Sequence, residues 1–207
     1  MIMKNQLIGL CGGTAAGKTT ITSKLIEHYG SASTIQLDSY YKDFSSLSFD
    51  TRKTINFDHP DSFNTKMLKR HLRLLLEGNK IESPIYNYKK HCRENNFNII
   101  YPNKLIFLEG TLIFFYSELT KLMMLKIFIE TPENVRFKRR LKRDIKKRGR
   151  IPAEVLKQYN ESVKPMHMKY IEPLKSVADI IISGSSEIDT SVEKIIKKID
   201  SIIVKKL

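Results

Sequence analysis

Gly12, Gly17, Lys18 and Thr19 stand at the spacing G-x-x-x-x-G-K-[ST] inside Gly9-Leu10-Cys11-Gly12-Gly13-Thr14-Ala15-Ala16-Gly17-Lys18-Thr19-Thr20. Glycines let successive backbone N–H groups turn inward on an anion, and a helix starting at the end of the loop adds positive potential. The predicted phosphate-binding segment is therefore Gly12, Gly13, Thr14, Ala15, Ala16, Gly17, Lys18, Thr19 and Thr20, with Lys18 reaching terminal phosphates and the Thr19 hydroxyl on Mg²⁺. Two carboxylates, Asp38 and Glu109, end apolar runs elsewhere in the chain. Leu105-Ile106-Phe107-Leu108-Glu109 has the form of a Walker-B strand with Glu in place of the commoner Asp, a second ligand for Mg²⁺ held directly or through water. Asp38 is placed to take a proton from an attacking hydroxyl. The pattern G-x-G-x-x-G is absent here, which argues against a dinucleotide site. The loop alone leaves open whether phosphate passes to water, to a protein or to a small molecule.

These residues need elements to position them. Short apolar runs at 7–10, 34–37, 104–108, 125–129 and 178–182 read as strands buried on both faces of a parallel sheet. Helical spacing covers 18–29 and about 64–77, the latter ended by Gly78. A third helix is predicted with Thr131 as N-cap and Pro132 in its first turn, ending at Gly149. Another starts at Pro152 and should be kinked or split by Pro165; the last spans 189–205, with Val192, Ile195, Ile196, Ile199 and Ile203 on one face. The alternation predicts a doubly wound α/β fold: a mainly parallel five-stranded sheet with helices on both faces. Residues 80–101 break the pattern and read as a protruding β-hairpin around a polar turn at 89–96. The whole chain, 1–207, reads as one domain with a lid at about 140–152.

The chain carries 36 Lys and Arg against 22 Asp and Glu, net +14, which points to anionic partners. Ten of the basic residues fall between Arg136 and Arg150, with Asp144 the one acid among them. Arginines there suit charge developing on a transferring phosphoryl group, whereas Lys138, Lys142 and Lys146 read as a solvated helix face. No apolar run approaches the ~20 residues of a membrane span, and the first strand follows the N-terminus too closely for a signal peptide. Cys11 and Cys92 imply no disulfide framework, so the expectation is a reducing cytoplasm. A GTPase is disfavoured, because Asn79-Lys80-Ile81-Glu82 ends in Glu where a base reader needs Asp.

Several stretches in order resemble the uridine (uridine–cytidine) kinases: GGTAAGKTT, DSYYKD, NFDHPDSF, PIYNYKKHCR, FLEGTL, RRLKRDIKKRGR and IEPLKSVADIII. The resemblance spans about 7–184 and implies transfer of the γ-phosphate of ATP or GTP, with Mg²⁺, to the 5′-hydroxyl of uridine or cytidine. On the matching positions it implies Lys18 and the loop amides on the phosphates and Thr19 and Glu109 on the metal. Asp38 becomes the general base, Asp58 and Arg140 bind the ribose hydroxyls, and Gln158 lies near the same sugar. Tyr86, Tyr88 and His91 form the base pocket with Arg150 nearby, and Arg143 and Arg148 face the donor phosphates. A homotetramer is implied too, with no specific nucleic-acid or membrane partner.

The sequence departs from the family pattern at Asn87 and Ile151, where many members have Asp, at Tyr88 in place of Phe, and at Thr111 in place of Ile. Asn87 bears on base preference and Ile151 on lid closure. Two alternatives stay open at this point. One is another small-molecule kinase, phosphoribulokinase-like or pantothenate-kinase-like; the other is a basic nucleic-acid-binding ATPase.

Overall fold

The computed structural model describes residues 5–204. Residue 205, the expected last residue of the C-terminal helix, lies outside them. Five apolar runs form one sheet: β1 (Gln6–Cys11), β2 (Ala32–Gln36), β5 (Leu105–Gly110), β6 (Met123–Glu130) and β7 (Ile180–Ser183). Their order is β2-β5-β1-β6-β7, and all four pairings are parallel. β1 and β5 are buried along nearly their whole length, which is why they read as unbroken apolar runs rather than alternating ones.

Each face of the sheet has its own core. One face packs Ile8, Leu10, Phe107 and Ile127 against α1 (Lys18–Tyr29) and α8 (Ile188–Val204), through Ile21, Leu25, Val192, Ile195 and Ile199. The other packs Leu7, Ile106, Leu108 and Phe128 against Leu68, Leu72, Leu75 and Leu76 of α3 (Thr65–Leu76). Asn64 caps α3 by accepting from the Met67 N–H, and Gly78 just beyond its end takes φ 92. Short α2 (Phe49–Lys53) and α4 (Ser117–Thr120) lie in connections. β3 (Ile81–Asn87) and β4 (Cys92–Ile100) pair antiparallel as a separate two-stranded sheet, so the hairpin does stand off the main sheet. Its turn is tighter than 89–96, because residues 92–96 continue β4 opposite β3.

α5 (Glu133–Arg148) starts one residue later than expected, with Pro132 at the N-cap position. Thr131 does not cap it; its hydroxyl donates to the Ala16 carbonyl of the phosphate loop at 2.9 Å. Gly149 ends α5 at φ 67, and its N–H and that of Arg150 both reach the Asp144 carbonyl. Beyond α6 (Pro152–Gln158), Pro165 neither stops nor splits the chain's helical path. Two π-helical turns, Tyr159–Val163 and His167–Ile171, flank the short α7 (Lys164–Met166) that contains it. Widening the turns accommodates a residue that has no N–H to donate.

Candidate active site

The phosphate loop leaves β1 at the centre of the sheet, where the connections diverge to either side. At Gly12, φ 150, an added Cβ would stand 2.4 Å from the Ile129 carbonyl oxygen, so only glycine fits. Gly17 enters α1 at φ 106, and no side chain caps that helix. The first N–H groups of α1 are thus left facing the cavity. That cavity measures ≈ 450 Å³ and is lined by Thr14–Thr20, Gln36, Asp38, Glu109, Arg139, Arg143, Lys147 and Arg148, among others. Lys18 Nζ donates to the carbonyls of Gly12 at 2.8 Å and Gly13 at 3.0 Å. Burial lowers its pKa, opposed by the charges of Glu109 and Asp38.

β5 carries Glu109 to the same mouth, opposite Leu10 of β1 and Gln36 of β2. Its Oε1 accepts from the Thr19 hydroxyl at 3.1 Å and from the Gln36 amide nitrogen Nε2 at 2.9 Å. Its Oε2 is buried and has no hydrogen-bond partner. Burial raises the Glu109 pKa, against the pull of Lys18 and the Thr19 hydrogen bond. An unpaired buried carboxylate oxygen beside a hydroxyl is a hard-oxygen donor set, and it fits Mg²⁺.

A second cavity adjoins the first. It is lined by Asp38, Tyr41, Phe57, Asp58, Tyr86, Tyr88, His91, Arg140, Arg143, Arg148 and Arg150, with Thr14 and Thr111. Asp38 sits in a single 3-10 turn, Leu37–Tyr40, at the end of β2, and it lines both cavities. The hairpin delivers Tyr86, Tyr88 and His91. His91 takes φ 52 in the turn and stacks on Phe57, with ring centroids 5.3 Å apart and planes 19° apart. Tyr41 closes the cluster, 4.8 Å from Tyr86. Burial and then the charge of Arg150 press the His91 pKa down to about 4, so the ring is neutral. Asp58 receives a hydrogen bond from Ser162 at 3.4 Å; burial raises its pKa against the charge of Arg140.

The basic helix is organised by an acid. Asp144 is fully buried and meets Arg143 Nε at 2.8 Å, Arg148 Nη1 at 3.3 Å, Arg140 Nε at 3.5 Å and Arg150 Nη1 at 3.9 Å. Burial would raise its pKa, but Arg143, Arg148 and Arg140 outweigh that and hold it below the usual carboxylate range. Arg140 also reaches Thr14 Oγ1 at 3.1 Å, tying the helix to the phosphate loop. Gln158 does not line either cavity; its Oε1 accepts from Arg140 at 3.0 Å and Arg150 at 2.6 Å and stands behind them. Lys138, Lys142 and Lys146 are exposed, as a solvated face requires. Gly12 and Gly13 also lie outside both linings, their carbonyls accepting from Lys18, and the remaining predicted site residues line one or both cavities. Sequence reasoning assigned no role to Tyr41, Phe57, Arg139 and Asp144. Tyr41 and Phe57 lay inside quoted motifs, and Asp144 was conspicuous as the one acid in a basic run.

Fold and site together define a P-loop phosphotransferase: a parallel sheet with a phosphate loop at its centre, a buried carboxylate beside it and a second, aromatic cavity that shares Asp38. The chain belongs to the phosphoribulokinase / uridine kinase family, whose model matches residues 7–191. It is 41% identical over 202 residues to the uridine kinase of Halalkalibacterium halodurans, covering 97% of this chain and 96% of that one. It is 40% identical over 207 residues to a uridine kinase of Listeria monocytogenes, covering 99% of each. The fold is also that of the phosphoribulokinase from Rhodobacter spheroides, with a TM-score of 0.62 at 20% identity over 87% of this chain and 70% of that one.

Proposed function

We propose that this chain transfers the γ-phosphoryl group of ATP or GTP to the 5′-hydroxyl of uridine or cytidine, giving UMP or CMP for pyrimidine salvage in the cytoplasm. One observation carries the reading: Asp38 is on the wall shared by the phosphate cavity and the aromatic cavity. A base placed there meets an acceptor hydroxyl on one side and the γ-phosphate on the other.

The proposed roles are those the family resemblance implies for these positions, and the two cavities support them. The loop amides and Lys18 hold the donor phosphates. Thr19 and Glu109 hold Mg²⁺, which neutralises charge on the phosphate oxygens. Asp38 takes the 5′-hydroxyl proton as that oxygen attacks phosphorus and the bond to the nucleoside diphosphate breaks. Arg143 and Arg148 line both cavities and stabilise charge on the phosphoryl group in transit. Asp58 and Arg140 read the ribose diol. Tyr86 and His91 receive the base, with Arg150 at its edge; a neutral imidazole either donates to uracil or accepts from cytosine, according to tautomer.

Nucleotide consumption against a panel of nucleosides, pantothenate and ribulose 5-phosphate tests this. Uridine or cytidine should be turned over far faster than the rest. Turnover confined to ribulose 5-phosphate or pantothenate would assign the aromatic pocket to another acceptor. Nanomolar binding of single-stranded nucleic acid at ~0.15 M salt would move the basic helix to the nucleic-acid reading.

A further inference from the structure

A kinase that holds a nucleoside triphosphate beside a general base must keep water off that base. A water at Asp38 would lose its proton to the carboxylate while its oxygen bonds to the γ-phosphorus and the phosphorus–oxygen bond to the diphosphate breaks. The products would be nucleoside diphosphate and inorganic phosphate, with no acceptor modified.

Tyr88 already occupies one oxygen of the carboxylate that such a water would need. Its hydroxyl donates to Asp38 Oδ2 at 3.2 Å, and its ring lines both cavities. The Arg148 guanidinium carbon lies 3.9 Å from the ring centroid, which packs a donor-side arginine over the ring. Tyr86 meets the ring edge-on, with centroids 5.4 Å apart. Burial and the adjacent Asp38 charge raise the phenol's pKa well above its ordinary value, so it remains an O–H donor. With these groups in place the acceptor cavity holds only ≈ 60 Å³, too little for a nucleoside. An entering acceptor therefore displaces groups of the cavity wall, Tyr88 among them, and its hydroxyl takes over the carboxylate oxygen the phenol held.

We propose that the Tyr88 hydroxyl is a guard on Asp38, occupying the base until the acceptor hydroxyl displaces it and so suppressing phosphoryl transfer to water. The inference rests on the reading of Asp38 as general base. It makes Tyr88 a positioning residue that acts through Asp38, beyond any part its ring takes in holding the nucleoside.

Tyr88→Phe removes the hydroxyl and keeps the ring. Release of diphosphate from ATP and Mg²⁺ is measured without nucleoside, then with it. The variant should hydrolyse ATP about tenfold faster than wild type without acceptor, the factor that ~1.4 kcal/mol makes in an equilibrium. Its KM for the nucleoside should fall, because no phenol has to be displaced, while KM for ATP stays as it was. Acceptor-free hydrolysis at or below the wild-type rate overturns the guard. Adding Asp38→Asn to Tyr88→Phe should return hydrolysis to the wild-type rate or lower; an elevated rate that survives the second change also overturns it. Asp38→Asn alone separates the two readings. If it leaves nucleoside phosphorylation intact, the base assignment itself is wrong.

Discussion

The phosphate-loop cavity, proposed as the donor side, and the aromatic cavity, proposed as the acceptor side, share Asp38 but are assembled in different ways. The donor side is largely backbone: one loop of nine residues, an uncapped helix start and a single carboxylate from the neighbouring strand. The acceptor side is side chains, gathered from the 3-10 turn after β2, the 56–58 loop, the hairpin and the basic helix. Backbone amides present the same donors whatever surrounds them, so a phosphate site can be written in one short motif. A pocket for a particular acceptor needs shape and polarity at several points, and no single segment supplies them. Asp144 joins the two, because its carboxylate holds Arg143 and Arg148, which line both cavities, together with Arg140 and Arg150, which line the second.

Changing the shared residue should have the largest effect. Asp38→Asn should lower kcat by roughly 10²–10⁴-fold, the usual range for losing a general base, with ATP binding nearly intact. Near-wild-type kcat would remove Asp38 from the junction. Next comes the link between the sides. Asp144→Ala leaves four guanidiniums around an empty site and should destabilise the fold by about 3–5 kcal/mol. In thermal unfolding that is a loss of roughly 6–20 °C. Asp144→Asn, of the same shape, should lose nearly as much; a wild-type Tm would show that the charge is not what holds the arginines together.

A smaller and one-sided effect is expected at His91. His91→Ala leaves polar edges of the base unpaired, a cost of about 1–3 kcal/mol, or roughly five- to 150-fold in kcat/KM for the nucleoside. The factor should differ between uridine and cytidine, and KM for ATP should hardly move. Equal damage to both substrates would dissolve the distinction between the sides. The smallest effect concerns pH. The His91 pKa is pressed from 6.5 to about 4, so the ring stays neutral where a free histidine would charge. Its contribution to stability is complete above the unfolded value of 6.5 and is lost as pH falls toward 4. Nucleoside kcat/KM should therefore show no His91 limb between about pH 5.5 and 8. A limb near 6.5 that vanishes in His91→Gln would contradict this.

Two departures from the family pattern have structural readings. Ile151 sits at the N-cap of α6 and leaves it without a side-chain cap, where an Asp would accept an N–H. Asn87 shapes the hairpin turn: its Oδ1 accepts from the N–H groups of Lys89 and Lys90, and its Nδ2 donates to Glu94.

Much of this molecule was legible from the chain alone, for reasons that are local. Gly12 and Gly17 are dictated by backbone conformation, and the buried strands by continuous apolar runs. The amphipathic last helix shows its period directly in Val192, Ile195 and Ile199. What local signals missed is long-range. Thr131 looks like a helix cap until the phosphate loop, more than a hundred residues earlier, offers the Ala16 carbonyl instead. Pro165 looks like a break until π-helical turns absorb it. Nothing local marks Gln158 as a partner of Arg140 and Arg150, yet its Oε1 accepts from both.

The sequence by itself therefore determined the order of elements, the phosphate loop and the identity of the carboxylates, because each depends on neighbours a few residues away. Only the tertiary structure decided which carboxylate faces which cavity, that Asp144 gathers the arginines, and that the Tyr88 hydroxyl rests on Asp38. The Tyr88–Asp38 contact joins segments 50 residues apart, and the Asp144 cluster, though local along the chain, forms around a carboxylate that only the fold buries. Their energies depend on burial and on opposing charges, which appear only once the chain has brought those segments together.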